Sequence, residues 1–241
     1  MSAWEVQALW LSAQVALLTV LLSTPLAVVL ASRMARARWR GHWVLDAVVL
    51  LPMALPPAVV GFGLLMGLSD DGLMGHWLLE ATGWSLSFYP SGAVLAASLL
   101  TLPLMVRVLR PAFEAIDPMM APLAQTLGAS AWNAWWSVTL PLAAPAVLSA
   151  MALGLAAAWG ESGATLVLAS ALQPSSVLVN HPATTAPLAL MQALRAPDHI
   201  DGATRLAVIS VGVAFVAVLL SEAGRRHWQG RWVTQHTGTR A

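Results

Sequence analysis

Few side chains in this chain are equipped for chemistry, and their placing is informative. Glu161 is the one acid deep in an apolar run, in "AAAWGESGATLVLA" at 156–169. An ionisable group inside a membrane segment is rare, and it marks either a functional site or a satisfied structural residue. Around it, Gly160, Ser162, Gly163 and Thr165 offer small side chains and hydroxyls. Such residues suit close helix packing, and they equally suit a pore lined by neutral hydrogen-bonding groups. Packing is the better reading for the glycines; the hydroxyls stay open to both. Arg107 and Arg110 end the third apolar run. They could draw anions to a pore mouth, or snorkel to the interface and set topology, which is the commoner role.

Enzyme chemistry finds no support. The six histidines are scattered at 42, 76, 181, 199, 227 and 236, and there is no cysteine, which excludes disulfides and thiolate metal sites. No nucleophile and base share one membrane face. All 12 basic residues are Arg. Without lysine there is no "GxxxxGK[ST]" loop, so the chain is not itself an ATPase by that motif.

The elements that hold these residues are membrane helices. The chain has 241 residues, 58% hydrophobic and 10% charged, with a mean hydropathy of +0.72. A soluble domain is about a quarter charged; this composition cannot cover a soluble surface, and an all-α integral membrane fold is expected. A bilayer core needs about 20 apolar residues in a helix. Five runs qualify, at about 6–31, 44–68, 90–112, 142–170 and 204–222. The N-terminus lacks the basic region of a cleavable signal peptide, so the first run reads as a retained span. The second run carries Pro52, Pro56, Pro57, Gly61 and Gly63. It is either a packing kink or a broken helix lining a pathway. One membrane domain over 1–241 is expected, with a core at about 6–222.

Arginine placement orients the chain. Arg33, Arg36, Arg38 and Arg40 follow the first span, Arg107 and Arg110 end the third, and Arg225, Arg226, Arg231 and Arg240 follow the fifth. All fall on one side if the N-terminus is outside and the C-terminus inside. The 69–89 connection has Asp70, Asp71 and Glu80 but no arginine, as an outer loop should. The other outer candidates, His181, Arg195, His199 and Arg205, read best as solvated loop residues. "APLALMQAL" at 186–194 is apolar but too short to span, so it is expected to be interfacial or re-entrant. The basic stretch at 225–232 within the tail 223–241 reads as a membrane-surface anchor.

The cytoplasmic connection 113–141 contains "PLAQTLGASAWNAWWSVTLPLAAP" at 122–145, which has no charged residue and three tryptophans. Asp117 as N-cap and Pro118 at the first helical position predict a helix running to Leu127. Gly128 would end it. Ser130 would cap a second helix that puts Trp132, Trp135 and Trp136 on one face. Such a face suits the membrane interface or a groove on another protein.

These residues resemble a known family. ABC-importer permeases carry a cytoplasmic motif of Glu-Ala-Ala, three residues, Gly, nine residues, Ile, any residue, Leu-Pro. Here Gly128 is followed at that distance by Val138 and then Leu140-Pro141. "LPPAVVGFGLL" at 55–65, "LPLMVR" and "AFEAIDP" within 102–118, "GESGATLVLA" at 160–169 and "TTAPLALMQAL" at 184–194 look like the molybdate permease subunits. The resemblance spans roughly residues 10–222. One departure stands out: the motif's Glu-Ala-Ala falls on Pro122, Leu123 and Ala124. The glutamate that helps grip the ATPase in the family is absent, and Pro122 at the fifth helical position would remove a backbone bond and distort the docking helix.

The resemblance implies a MetI-like type I permease in a bacterial inner membrane, acting as a homodimer. It implies two cytoplasmic ABC ATPase subunits, which hold ATP and magnesium, with no cofactor in this chain. A periplasmic or surface-anchored binding protein would deliver the oxyanion, molybdate first, with tungstate or sulfate as alternatives. The ATPase-coupling residues implied are Asp117, Pro118, Leu123, Ala124, Leu127, Gly128, Ala129, Trp132, Leu140 and Pro141. Pathway or gate candidates are Glu161, Ser162, Gly163, Thr165 and Arg107. A carboxylate repels a dianion, so Glu161 is expected to pair with an arginine or a backbone N–H. An autonomous secondary anion transporter or channel is the alternative of another class; it would not need the two-helix elbow.

Overall fold

The computed structural model describes residues 2–36, 41–69, 72–83, 91–172, 184–195 and 200–237. Arg38, Arg40, Asp70, Asp71, His181, His199 and Arg240 lie outside them. All regular elements among the described residues are helical. They are α1 (Ala3–Ala35), α2 (His42–Ala54), α3 (Pro57–Leu68), α4 (Leu73–Thr82), α5 (Ser91–Glu114), α6 (Met120–Thr126), α7 (Ala131–Ala134), a π-turn (Trp135–Thr139), α8 (Leu140–Gly160), α9 (Gly163–Leu172), α10 (Ala186–Ala193) and α11 (Ile200–Thr237).

Among the described residues four stretches are long and apolar enough to cross a bilayer: Ala3–Ala35, Ser91–Glu114, Ala131–Gly160 and Ile200–Arg226. The fifth exists only as a pair. α2 and α3 are bent by 104° at Leu55–Pro56. Two successive prolines, Pro56 and Pro57, remove two donors and force an extended backbone before the second piece. At 1.5 Å per residue neither piece reaches more than ~20 Å, so neither crosses a bilayer core alone, and the bend makes the pair a broken span or a re-entrant loop.

The expected fourth span, 142–170, is also interrupted. α8 ends at Gly160, Glu161 is extended, and α9 restarts at Gly163. Hydropathy alone reads this run as continuous, because the break occupies only two residues. The span begins earlier than expected, since α7, the π-turn and α8 form one helical stretch from Ala131 to Gly160. Pro141 cannot donate a backbone bond. Just before it the helix widens, with Leu140 N–H bonded to Trp135 O five residues back. Leu140-Pro141 is therefore a bulge inside the span.

Small residues set the packing. Ala27, Ala31, Met105, Leu109, Phe113, Ala143 and Ala150 join α1, α5 and α8 in one apolar core. Ala16, Ala97, Ala158 and Trp159 join the same helices further along. Leu17, Leu18, Leu21, Leu22 and Leu26 of α1 face outward instead, as a bilayer permits. The C-terminal halves of α1 and α5 meet the N-terminal half of α8 in the first of these clusters, and α11 packs along α8, where the Ser221 hydroxyl bonds to Ser149 O (2.9 Å). α11 continues as helix through the basic tail to Thr237.

Candidate functional site

Two sites take shape at opposite ends of the bundle. At the arginine-rich end lies the elbow. The Asp117 carboxylate accepts the Met119 N–H (2.8 Å), and Asp117 O accepts the Met120 N–H (3.1 Å). Asp117 and Pro118 thus form a turn, and the helix starts at Met120 rather than Pro118. This changes the reading of Pro122. It occupies the third helical position, in a first turn whose N–H groups have no intrahelical partner anyway. The first bond comes from Leu123 N–H to Met119 O (2.9 Å). Proline costs this helix no bond and leaves it undistorted.

The helix ends as the glycine predicts. Gly128 has φ +95°, Ala129 N–H reaches Ala124 O (3.1 Å) and Gly128 N–H reaches Gln125 O (3.0 Å). That pair of bonds is a Schellman motif, and glycine takes its left-handed position without Cβ strain. Ser130 Oγ then accepts Asn133 N–H (3.1 Å) and caps α7. The tryptophans form one cluster: Trp132 stacks on Trp135 at 5.9 Å, and Trp136 meets Trp135 edge-on at 5.1 Å. Trp135 turns onto the apolar core, whereas Trp132 (67% exposed) and Trp136 stay outside. With Leu127 (84% exposed), Leu123, Met119 and Met120 they make an uncharged apolar surface. Ala124 and Ala129 are half-buried beside it, and Pro118 and Pro141 are exposed. Sequence reading missed Met119 and Met120, whose exposure follows from the late helix start.

At the other end, the break between α8 and α9 opens a narrow cleft lined by Ser12, Trp159, Glu161, Thr165 and Thr185, among others. Glu161 Oε1 accepts the Ala164 N–H (2.8 Å), so its charge rests on the first turn of α9. Ser162 O accepts the Leu166 N–H. α9 lies along α3. A Cβ on Gly61 would fall 2.7 Å from the Ala164 Cα, and one on Gly163 would fall 2.7 Å from the Pro57 Cβ. Gly163 is thus a packing glycine, while Gly160 has open space around it. Thr165 is buried and Ser162 half-buried.

The arginines separate. Arg110 is fully engaged, with Asp46 at 2.8 Å and Glu114 at 2.7 Å; it ties α5 to α2. Arg107 is exposed. It lies ten residues beyond Ala97, which lines the cleft, or ~15 Å along α5. The structure therefore does not bring it to Glu161 and Thr165. Arg205 is not a loop residue. It sits in α11 and bonds Glu5 at 2.9 Å. Glu5, 1% exposed, also accepts the Ser2 N–H (3.1 Å). Glu161 is therefore not the only acid enclosed by apolar helices; the other lies near the chain start.

The match to known proteins fits this architecture. Residues 23–223 match the family described as binding-protein-dependent transport system inner membrane component. The chain belongs to that family. It is an ABC-importer permease of the MetI type, a component of the inner membrane. It is 36% identical over 218 residues to the molybdenum transport system permease protein ModB of Haemophilus influenzae, covering 90% of this chain and 92% of the relative. It is 32% identical to the probable sulfate transport system permease protein cysT of Chlorokybus atmophyticus, covering 83% of this chain and 66% of the relative. A solved bacterial alginate ABC transporter, in complex with alginate pentasaccharide-bound periplasmic protein, superposes with a TM-score of 0.62 at 17% identity, over 92% of this permease and 78% of that chain. This last likeness is one of fold.

Proposed function

We propose that this permease is the membrane subunit of an ATP-driven molybdate importer and acts as a homodimer. Two cytoplasmic ATPase subunits, carrying ATP and magnesium, dock on the elbow at 117–130. A periplasmic or surface-anchored binding protein delivers the oxyanion to the opposite end, and the N-terminus faces outward. The chain hydrolyses nothing itself; it converts closure of the ATPase pair into movement of the pathway. What supports this reading most is the end-to-end likeness to a molybdenum permease, 90% of one chain on 92% of the other. The elbow adds a physical reason. A face carrying Leu123, Leu127 and Trp132 without a charge is suited to a protein groove, and the Schellman bonds give it a fixed angle.

Sulfate is the second reading, favoured by the cysT relative, whose match covers less of both chains. Tetrahedral dianions of similar size share this architecture, and the binding protein tells them apart. Co-purification with an ATPase subunit tests the class. A stable complex is expected; a permease that transports alone would be an autonomous carrier.

A further inference from the structure

We infer that Trp159, Thr165 and Ser12 form a neutral hydrogen-bonding stage for the tetrahedral oxyanion, at the level where the fourth span breaks. This rests on the chain being an oxyanion importer and adds where the anion is met within the membrane.

The break is the first observation. Backbone leaves the helix at Glu161 and Ser162 and returns at Gly163. Non-helical backbone at membrane depth is tolerated only where protein buries it or a wet cavity takes up its bonds. The second is the pairing of two half-helices. Pro57 meets Gly163, and Gly61 meets Ala164. Leu64 and Leu65 pack against the cluster that holds Ala164 and Leu168. α3 and α9 therefore run parallel, with their N-terminal, partially positive ends together.

The third observation points to a ligand. Trp159 is 8% exposed, and its indole Nε1–H is buried without a partner among the described residues. Trp159 lines the cleft together with Ser12 and Thr165. Buried donors are nearly always satisfied. An indole N–H can only donate, and a fully ionised oxyanion can only accept. Ser12 Oγ accepts the Ala186 N–H (2.6 Å), which leaves its own proton to donate. Glu161 would repel a dianion, but its carboxylate is drawn to the Ala164 N–H. The cleft is too narrow for a water molecule in this conformation. It must widen to receive an anion, and the orphaned donor gains its acceptor only then. Neutral donors also suit transit, where binding must be firm enough for entry and weak enough for release.

The test is molybdate uptake into proteoliposomes holding the permease, its ATPase and its binding protein. Trp159→Phe keeps the ring and loses the donor; uptake efficiency should fall about tenfold, the worth of one hydrogen bond to a charged group. Trp159→His restores a ring N–H and should recover part of that loss. If Trp159→Phe fails to assemble with the ATPase, Thr165→Val, which keeps its shape, decides: a fall of about fivefold or more is expected from one lost hydrogen bond. Wild-type uptake in Trp159→Phe, equal impairment of the Phe and His variants, or wild-type uptake in Thr165→Val where that variant decides, overturns the inference. No molybdate uptake by the wild-type complex would instead overturn the proposed function.

Discussion

Where α1, α5 and α8 meet at the arginine-rich end, they close over an apolar cluster of Ala31, Leu109, Phe113 and Ala143, and the buried Ser149 beside it has its hydroxyl bonded to Pro145 O. At the far end the same helices meet around Ser12, Trp159 and Glu161, and the fourth span comes apart. The first end is closely packed: an apolar cluster below, an elbow of fixed angle above, and Arg110 clamping α2 to α5. The second is built with unfilled hydrogen-bonding capacity and a short, separable helix. A machine that turns a push from one side into passage on the other requires that asymmetry. Packed interiors transmit displacement with little compression, and a polar break supplies the place where it can open.

Four changes sharpen or break this comparison. Replacing 117–130 by a flexible linker should have the largest effect: the protein still inserts, but ATPase co-purification falls to background. Retained ATPase binding would refute the elbow's role. Next comes Gly61→Val, at the crossing of α3 and α9. Its Cβ would land 2.7 Å from Ala164 backbone, and overpacking of this kind costs about 1–3 kcal/mol. Thermal stability in detergent should drop and transport should be lost; an unchanged melting temperature would mean that the two half-helices are not locked together. Glu161→Gln keeps an acceptor for the Ala164 N–H and removes the charge. Assembly should be normal and uptake impaired several-fold, because a neutral amide holds the first turn of α9 less firmly than the carboxylate does; normal uptake kinetics would mean that the charge is dispensable there. The smallest effect is expected from Arg205→Ala, which leaves the buried Glu5 without its cation. A modest loss of thermal stability should follow, largely restored by adding Glu5→Gln; absence of rescue would argue that Arg205 acts elsewhere.

The sequence made local features legible and distant ones obscure. Gly128 and Ser130 read correctly because each satisfies backbone groups within five residues of itself. Four of the five spans followed from hydropathy, and Pro56-Pro57 announced the bend in the other. Pro122 misled because its position was counted from Asp117, before the Asx turn moved the helix start to Met120. The break at Glu161–Ser162 hid inside a run that is apolar on both sides. Glu5 and Arg205 lie 200 positions apart, and no periodicity connects them. Trp159 gave a weak signal, an aromatic directly before Gly-Glu-Ser-Gly, but its unpartnered N–H is a property of the packed molecule alone.

The central claim is that this permease couples ATP hydrolysis at its arginine-rich end to oxyanion passage at its broken span. The most direct measurement is ATP hydrolysis by the complex in proteoliposomes, with the binding protein present and molybdate or sulfate added in turn. The account predicts that molybdate stimulates hydrolysis and accumulates inside, with sulfate stimulating less. Hydrolysis indifferent to either anion, or uptake that proceeds without ATP, would contradict it.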